Sequence, residues 1–244
     1  MYKLLLFCFI IMLAGCPHKH NIQKIDEKTE AQLYKEATDL AKNKKYKQAI
    51  KVFQEVEDLY PFSDWAIKAQ LQSATANYDS GNYSKAAALL DEYVYMYPND
   101  QDIAYVYYLR ILSYYAQIDN IKREQKVAYT TLELLKEYMQ IFPTSQYSSI
   151  LEKKMDSVID HVAAYELSVG KFYLKRGHYI SAIKRFEEIE NNYSDSNYTT
   201  EALCGSMEAY LALGIHEEAH RKELKILDRS DAKKCANKMV QISR

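Results

Sequence analysis

Glycine and proline are scarce, 6 and 4 among 244 residues. A fold of many short strands spends both on its turns, so their scarcity argues against an all-β chain and favours long helices. No segment alternates apolar and polar residues with period two for long enough to build a sheet. Basic excess is missing as well: the formal net charge is -1 with charged residues at 27%, which leaves no surplus to hold a polyphosphate backbone, and no nucleic-acid partner is expected. A phosphate-cradling glycine loop, a Gly-x-Ser-x-Gly elbow and a separated carboxylate pair assignable to a cleft are all lacking, so neither catalysis nor a cofactor is expected. Tyrosine, by contrast, is abundant: 23 residues, within an aromatic content of 13%. Its ring offers apolar area and its hydroxyl a directed hydrogen bond, which suits packing and recognition equally.

The amino terminus reads as an export leader. Lys3 supplies a positive start, and Leu4 to Leu13 is an uncharged apolar run, too short for a spanning helix, which needs about 20 apolar residues. Leu13-Ala14-Gly15-Cys16 resembles the bacterial lipobox, in which small residues admit the peptidase and the cysteine thiol is acylated. Residues 1–15 are then a lipoprotein signal peptide, Cys16 the lipid-bearing first residue and 16–29 a polar tether. Several acyl chains anchor far more firmly than one. Pro17 stands where many lipoproteins kept in the inner membrane carry Asp, and that resemblance implies an outer-membrane anchor facing the periplasm. With Cys8 removed and Cys16 acylated, Cys204 and Cys235 remain; the periplasm permits a bridge between them, and spacing alone leaves it open.

The body repeats itself. Leu33, Ala37, Leu40, Tyr46, Ala49, Phe53, Val56 and Pro61 fall at the spacing of a tetratricopeptide helix pair. Small Ala37 and Ala49 admit close helix approach, Tyr46 and Phe53 fill the seam, and Pro61 stops the second helix. The frame recurs with Ala74, Gly81, Tyr83, Ala86, Leu90, Tyr93 and Pro98, and with Gly170, Tyr173, Gly177, Tyr179, Ala182, Phe186 and Ile189. A less regular pair lies between them, near Asp102 to Gln117 and Val127 to Phe142. A fifth holds Met207, Tyr210, Gly214, Ala219 and Ile226, with a short basic cap from Asp231. The expected fold is all-α, a tetratricopeptide superhelix of about five helix-turn-helix pairs, with an N-terminal half at 30–143 and a C-terminal half at 144–244. Between Pro143 and Gly177 the one helix breaker is Gly170, so one long helix is expected from about Ser148 to Lys175.

The order of these motifs resembles the BamD family, lipoproteins of the β-barrel assembly machinery, over essentially the whole mature chain. The specific segments are Tyr60-Pro61-Phe62 with Trp65, Asp102 to Arg110, Pro143 to Tyr147, and Glu166-Leu167-Ser168-Val169 leading into Arg176-Gly177. Two features depart from the family: a short link inside the third pair, and Ser194 where the fourth pair should end in Pro. The resemblance implies a scaffold that holds the barrel subunit on its C-terminal repeats, joins other assembly lipoproteins, and receives unfolded outer-membrane proteins on its N-terminal repeats. First helices line the concave face of such arrays. Tyr34, Lys42, Lys68, Tyr78, Tyr105, Tyr108 and Tyr115 point there in this frame, with Phe62 and Trp65 joining the groove from the family segment. Tyrosine faces and lysine ammoniums suit strands that end in an aromatic residue and a carboxylate; each tyrosine alone is as well explained by packing. In the C-terminal half Arg185, Lys184, Arg221 and Lys225 are the partner-binding candidates, Arg185 first, because guanidinium pairs bidentately with carboxylate. Solvated helix faces are the plainer alternative.

His216-Glu217-Glu218-Ala219-His220 matches H-E-x-x-H, which sets two zinc ligands one turn apart. A zinc site needs a third ligand, and none is recognisable in the residues that follow. In the repeat frame His216 takes the seam slot of Tyr46, Tyr83 and Tyr179, and Ala219 is the helix-contact alanine, so no metal is expected. His161 and His178 stand alone as surface or seam residues. The competing reading of the whole chain is another repeat lipoprotein, such as a pilotin for a secretin.

Overall fold

A computed structural model describes residues 28–235, all of them in helices and their connections. Ten α-helices follow in order among these: α1 (Glu30–Lys42), α2 (Tyr46–Leu59), α3 (Asp64–Asp79), α4 (Tyr83–Met96), α5 (Ile103–Tyr115), α6 (Lys126–Ile141), α7 (Ser148–Lys175), α8 (Tyr179–Asn192), α9 (Thr199–Ala212) and α10 (His216–Leu227), with a 3-10 turn at Ala232–Cys235. They pack as five antiparallel pairs, and each second helix also packs on the first helix of the next pair. This is the tetratricopeptide array expected from the repeat. The leader, Cys16 and most of the tether lie outside the described residues.

The repeat spacing becomes packing through a few positions. Ala37, Ala49, Ala86 and Ala182 are all 0% exposed, so a methyl group is all that separates the backbones where paired helices meet. Phe53 and Phe186 fill the seams beside them. In four of the five pairs the link from first to second helix turns through a left-handed residue. Gly81, Gly177 and Gly214 take it with φ of 81°, 76° and 74°, and Lys44 takes the same turn in the first pair at 59°. Only glycine does so without a Cβ penalty.

Phe186 is the tightest fit. A Cβ on Gly170 would lie 2.4 Å from its ring, and one on Gly205 2.5 Å from the other side, so α7 and α9 close on the ring only because neither presents a side chain. The largest cluster of buried residues runs from Ile111 through Leu135, Tyr138, Leu151 and Val162 to Phe186 and Ala202. It crosses position 143, so the two halves share a core and differ in the surfaces they present. α7 is the 28-residue helix expected between Pro143 and Gly177, and it carries that core from the third pair into the fourth.

Tyrosine hydroxyls staple successive pairs. Tyr114 on α5 donates to Asp91 on α4 at 2.6 Å, and Tyr210 on α9 donates to Glu187 on α8 at 2.8 Å, each across 23 residues of sequence. Burial and then the Asp91 carboxylate push the Tyr114 phenol up to about 12. Arg110 adds a 2.5 Å bond to Asp91. At the C-terminal end Cys204 and Cys235 are joined in a disulfide, with Cα atoms 5.8 Å apart, pinning the 3-10 turn to α9. The spacing had left that bridge open.

Gly205→Ala is expected to lower the free energy of unfolding by about 1–3 kcal/mol, the cost of forcing a methyl into a filled core. Urea unfolding measures it, and an unchanged midpoint would mean that the ring is free to move aside.

Candidate functional site

First helices of neighbouring pairs touch one another, α1 with α3, α3 with α5 and α7 with α9, so the outward sides of α1, α3 and α5 form one continuous face. On it Tyr34, Trp65 and Lys68 come together. The rings of Tyr34 and Trp65 are 5.0 Å apart, and the Lys68 ammonium stands 5.1 Å over the indole. With Leu71, Gln72 and Tyr93 they line a cleft of about 350 Å³ whose lining is completed by Asp100, Gln101 and Asp102. Burial, against a weaker opposing bond from Thr38, raises the Tyr34 phenol; it remains a neutral hydrogen-bonding group. The cleft thus pairs an apolar floor and one cation with two carboxylates that the sequence reading did not assign to it. Their signal was present in the polar link after Pro98.

A second aromatic group follows along the same face. Tyr108 stacks on Tyr147 at 4.4 Å and 16°, and Tyr105 lies 6.3 Å from Tyr108 and 6.0 Å from Tyr147. Tyr78 meets Tyr83 at 5.3 Å, and its phenol is raised by burial first and then by Tyr83, Tyr108 and neighbouring groups. Tyr147 and Tyr83 are additions to the expected set. Tyr78 and Tyr105 also pack on the buried Leu90 and Leu109 cluster, so these rings both support the helices and present edges outward.

Tyr115 stands apart, under the Lys154 ammonium at 4.0 Å and beside Ser157 at 3.5 Å. With Ile118, Val158 and His161 it lines a cleft of about 180 Å³. His161 is not solitary: its Nε2 is 2.7 Å from the Gln125 side chain, which in turn donates to the carbonyls of Asn120 and Arg123 and fixes the α5–α6 link. Burial lowers the His161 imidazole. Lys42 belongs to neither aromatic group; it ends α1, eight residues and so about 12 Å along the axis from Tyr34. Phe62, in the α2–α3 link, is 101% exposed and lines none of these clefts.

Most of the C-terminal cations are engaged within the chain. Arg185 on α8 holds both oxygens of Glu166 on α7, at 2.9 and 3.2 Å, and Tyr129 on α6 donates to the same carboxylate at 2.5 Å. Its guanidinium is raised chiefly by that bond. Lys225 bonds Glu190, and Arg221 bonds Glu218 with Glu217 at 3.6 Å. Buried Lys222 reaches Glu190 at 2.5 Å, and although burial favours the neutral acid, the two lysines hold Glu190 below its usual range. Lys184 is exposed. Glu166 was in view as part of a distinctive segment, but its role as the partner of Arg185 was not legible without the helix register.

His216 differs from its expected seam role. It opens α10 in register with Tyr46, Tyr83 and Tyr179, which are half-buried, yet it is exposed. His220 is exposed too, 3.2 Å from Glu223. Among the described residues no three His, Cys, Asp or Glu side chains gather as a metal would require.

A family model described as YfiO, outer membrane lipoprotein, matches residues 26–225, nearly all of the array just described. The chain belongs to the YfiO family. Among its relatives, the outer membrane protein assembly factor BamD of Rickettsia prowazekii is 34% identical, over 86% of this chain and 84% of its own length. The BamD of Caulobacter vibrioides is 31% identical over 86% of this chain and 69% of its own. A tetratricopeptide protein of Thermus thermophilus is 18% identical and covers 87% of this chain and 100% of its own, at a TM-score of 0.39. The fold reading accordingly rests on the helix pairing itself. In this YfiO-family chain no described helix is long and apolar enough to cross a membrane.

Arg185→Ala would leave the Glu166 carboxylate, 3% exposed, with the Tyr129 hydroxyl alone. We expect a loss of about 1–3 kcal/mol, less than for a fully buried pair because the arginine is part-solvated. Lys184→Ala should stay within about 0.5 kcal/mol of the parent. Equal unfolding midpoints for the two variants would remove Arg185 from the structural account.

Proposed function

We propose that this chain is a non-catalytic scaffold of the outer-membrane β-barrel assembly machinery, held to the outer membrane through acylated Cys16 and facing the periplasm. Its first three pairs receive unfolded outer-membrane proteins, and its last two hold the barrel subunit, with other assembly lipoproteins joining the complex. Membership of a family described as outer membrane lipoprotein supports the anchor, and relatives named as outer-membrane assembly factors support the role.

One observation carries the receiving face: the Tyr34, Trp65 and Lys68 cleft, continued by Tyr78, Tyr105 and Tyr108. An aromatic side chain at the end of a strand would lie against the Tyr34 and Trp65 rings, and its terminal carboxylate would meet the Lys68 ammonium. Asp100 and Asp102 in the same lining repel that carboxylate, which favours its placement at Lys68. Tyr115 extends the face toward α7, and Lys42 stands beyond its other end. On the C-terminal half exposed Lys184 is the freest cation for a partner, and Arg221 and Lys225 would exchange intrachain carboxylates for a partner's. Arg185 reaches a partner with the edge that Glu166 leaves open; its side chain is 42% exposed.

Trp65 is the one tryptophan of the chain, so its fluorescence reports directly on the cleft. A short peptide ending in phenylalanine with a free carboxylate should shift that emission saturably. Lys68→Met, or amidation of the peptide, should weaken binding about tenfold, the worth of one charge-assisted bond. Equal affinity for the free and amidated peptides would place recognition elsewhere.

A further inference from the structure

Four second helices end alike. Tyr60, Tyr97, Phe142 and Tyr193 leave α2, α4, α6 and α8 with φ of -133°, -130°, -126° and -138°, each amide donating to the carbonyl four residues back. The residue before each cap therefore occupies one repeated place on the edge of the array. In the first three pairs it is Leu59, Met96 and Ile141, exposed by 61%, 56% and 50%. In the fourth it is Asn192, also exposed. Phe62, at 101%, and Tyr95, at 84%, add to the same edge. One exposed leucine needs no explanation, but a row of large apolar side chains repeated at equivalent positions does.

The chain enters the fold at this edge. Tyr60 donates to the carbonyl of Lys28 at 2.9 Å, just ahead of α1 and beside Leu59. Eleven residues separate Lys28 from Cys16, a span of at most about 40 Å. The turns inside each pair lie at the other end of the helices, where Lys44, Lys45 and Lys47 are exposed. The apolar edge is flanked by exposed Asp58 and Asp64, while Lys28 beside it is paired with Glu36. Such charges disfavour an anionic surface and suit one whose headgroups carry no net charge.

We infer that the edge formed by Leu59, Phe62, Tyr95, Met96 and Ile141 rests on the surface of a zwitterionic lipid bilayer, holding the first three pairs against the membrane that anchors the chain. The inference builds on the proposed acylation of Cys16. The tether brings the edge within reach of the bilayer, and shallow insertion of the apolar side chains then sets its orientation.

The test uses the full-length acylated chain in vesicles of phosphatidylcholine and phosphatidylethanolamine, part of the lipid carrying bromine near the headgroup. Trp65 lies in the first turn of α3, three residues after Phe62, and serves as the probe. Its fluorescence should be quenched, and the triple variant Leu59→Ser, Phe62→Ser, Met96→Ser should lose quenching by about threefold or more while still co-sedimenting with the vesicles. All three positions are exposed, so helicity should be unchanged. Added anionic phosphatidylglycerol should weaken the quenching. Co-sedimentation without quenching, or quenching that the triple variant leaves intact, overturns the edge and leaves the anchor standing. Failure to co-sediment overturns both. Absent quenching together with a doubled mass in detergent assigns the edge to a second copy of the chain.

Discussion

Close approach of paired helices is the constraint on which the other features depend. Where α1 meets α2, and again at α4 and α8, the contact residue is an alanine with no exposed surface. At the α7, α8 and α9 junction it shrinks to glycine on both sides of Phe186. A side chain one methylene larger would drive the axes apart and change the angle between pairs. Because each pair stacks on the one before, an error in one angle would propagate along the array and break up the face shared by α1, α3 and α5. The outward face of the first helices is thus a consequence of interior packing.

Polar contacts then fix how one pair sits on the next. Asp91 with Arg110 and Tyr114, Glu166 with Tyr129 and Arg185, and Glu190 with Lys222 and Lys225 each lie where helices from different pairs meet. Apolar contacts alone tolerate sliding, whereas a buried carboxylate must find its donors and so admits one register. Tyr114, Tyr129 and Tyr210 serve this purpose with their hydroxyls. Others turn their rings to the outward face, and Tyr78 and Tyr105 do so while also packing on the apolar core.

The helix pairs were legible because their signals are local: alanine and aromatic residues at fixed spacing, glycine at the turn and proline after the second helix. The long α7 followed from the lack of a breaker. Less legible was anything that depends on which helices meet. Arg185 looked available because its guanidinium suits a partner's carboxylate, but the carboxylate it holds, Glu166, lies on another helix of this chain. Likewise His216 shares the register of seam tyrosines and yet is exposed. Of the groove residues, Tyr34, Trp65 and Lys68 converge, and Tyr78, Tyr105 and Tyr108 gather around Tyr147. Phe62, Lys42 and Tyr115 lie apart from both groups: Phe62 sits in the α2–α3 link, Lys42 at the far end of α1 from Tyr34, and Tyr115 beside α7.

Two edges and one face thus have different chemistry: aromatic clefts along the first helices, lysines at the turns of the first pair, and apolar side chains where the tether enters. The central claim is that the chain works as an assembly scaffold beside a barrel protein. Its most direct measurement is purification of the tagged full-length protein from membranes in mild detergent, with its companions identified by mass spectrometry. The account predicts a large β-barrel protein with soluble periplasmic domains. A secretin in its place, or no membrane companion at all, would contradict it.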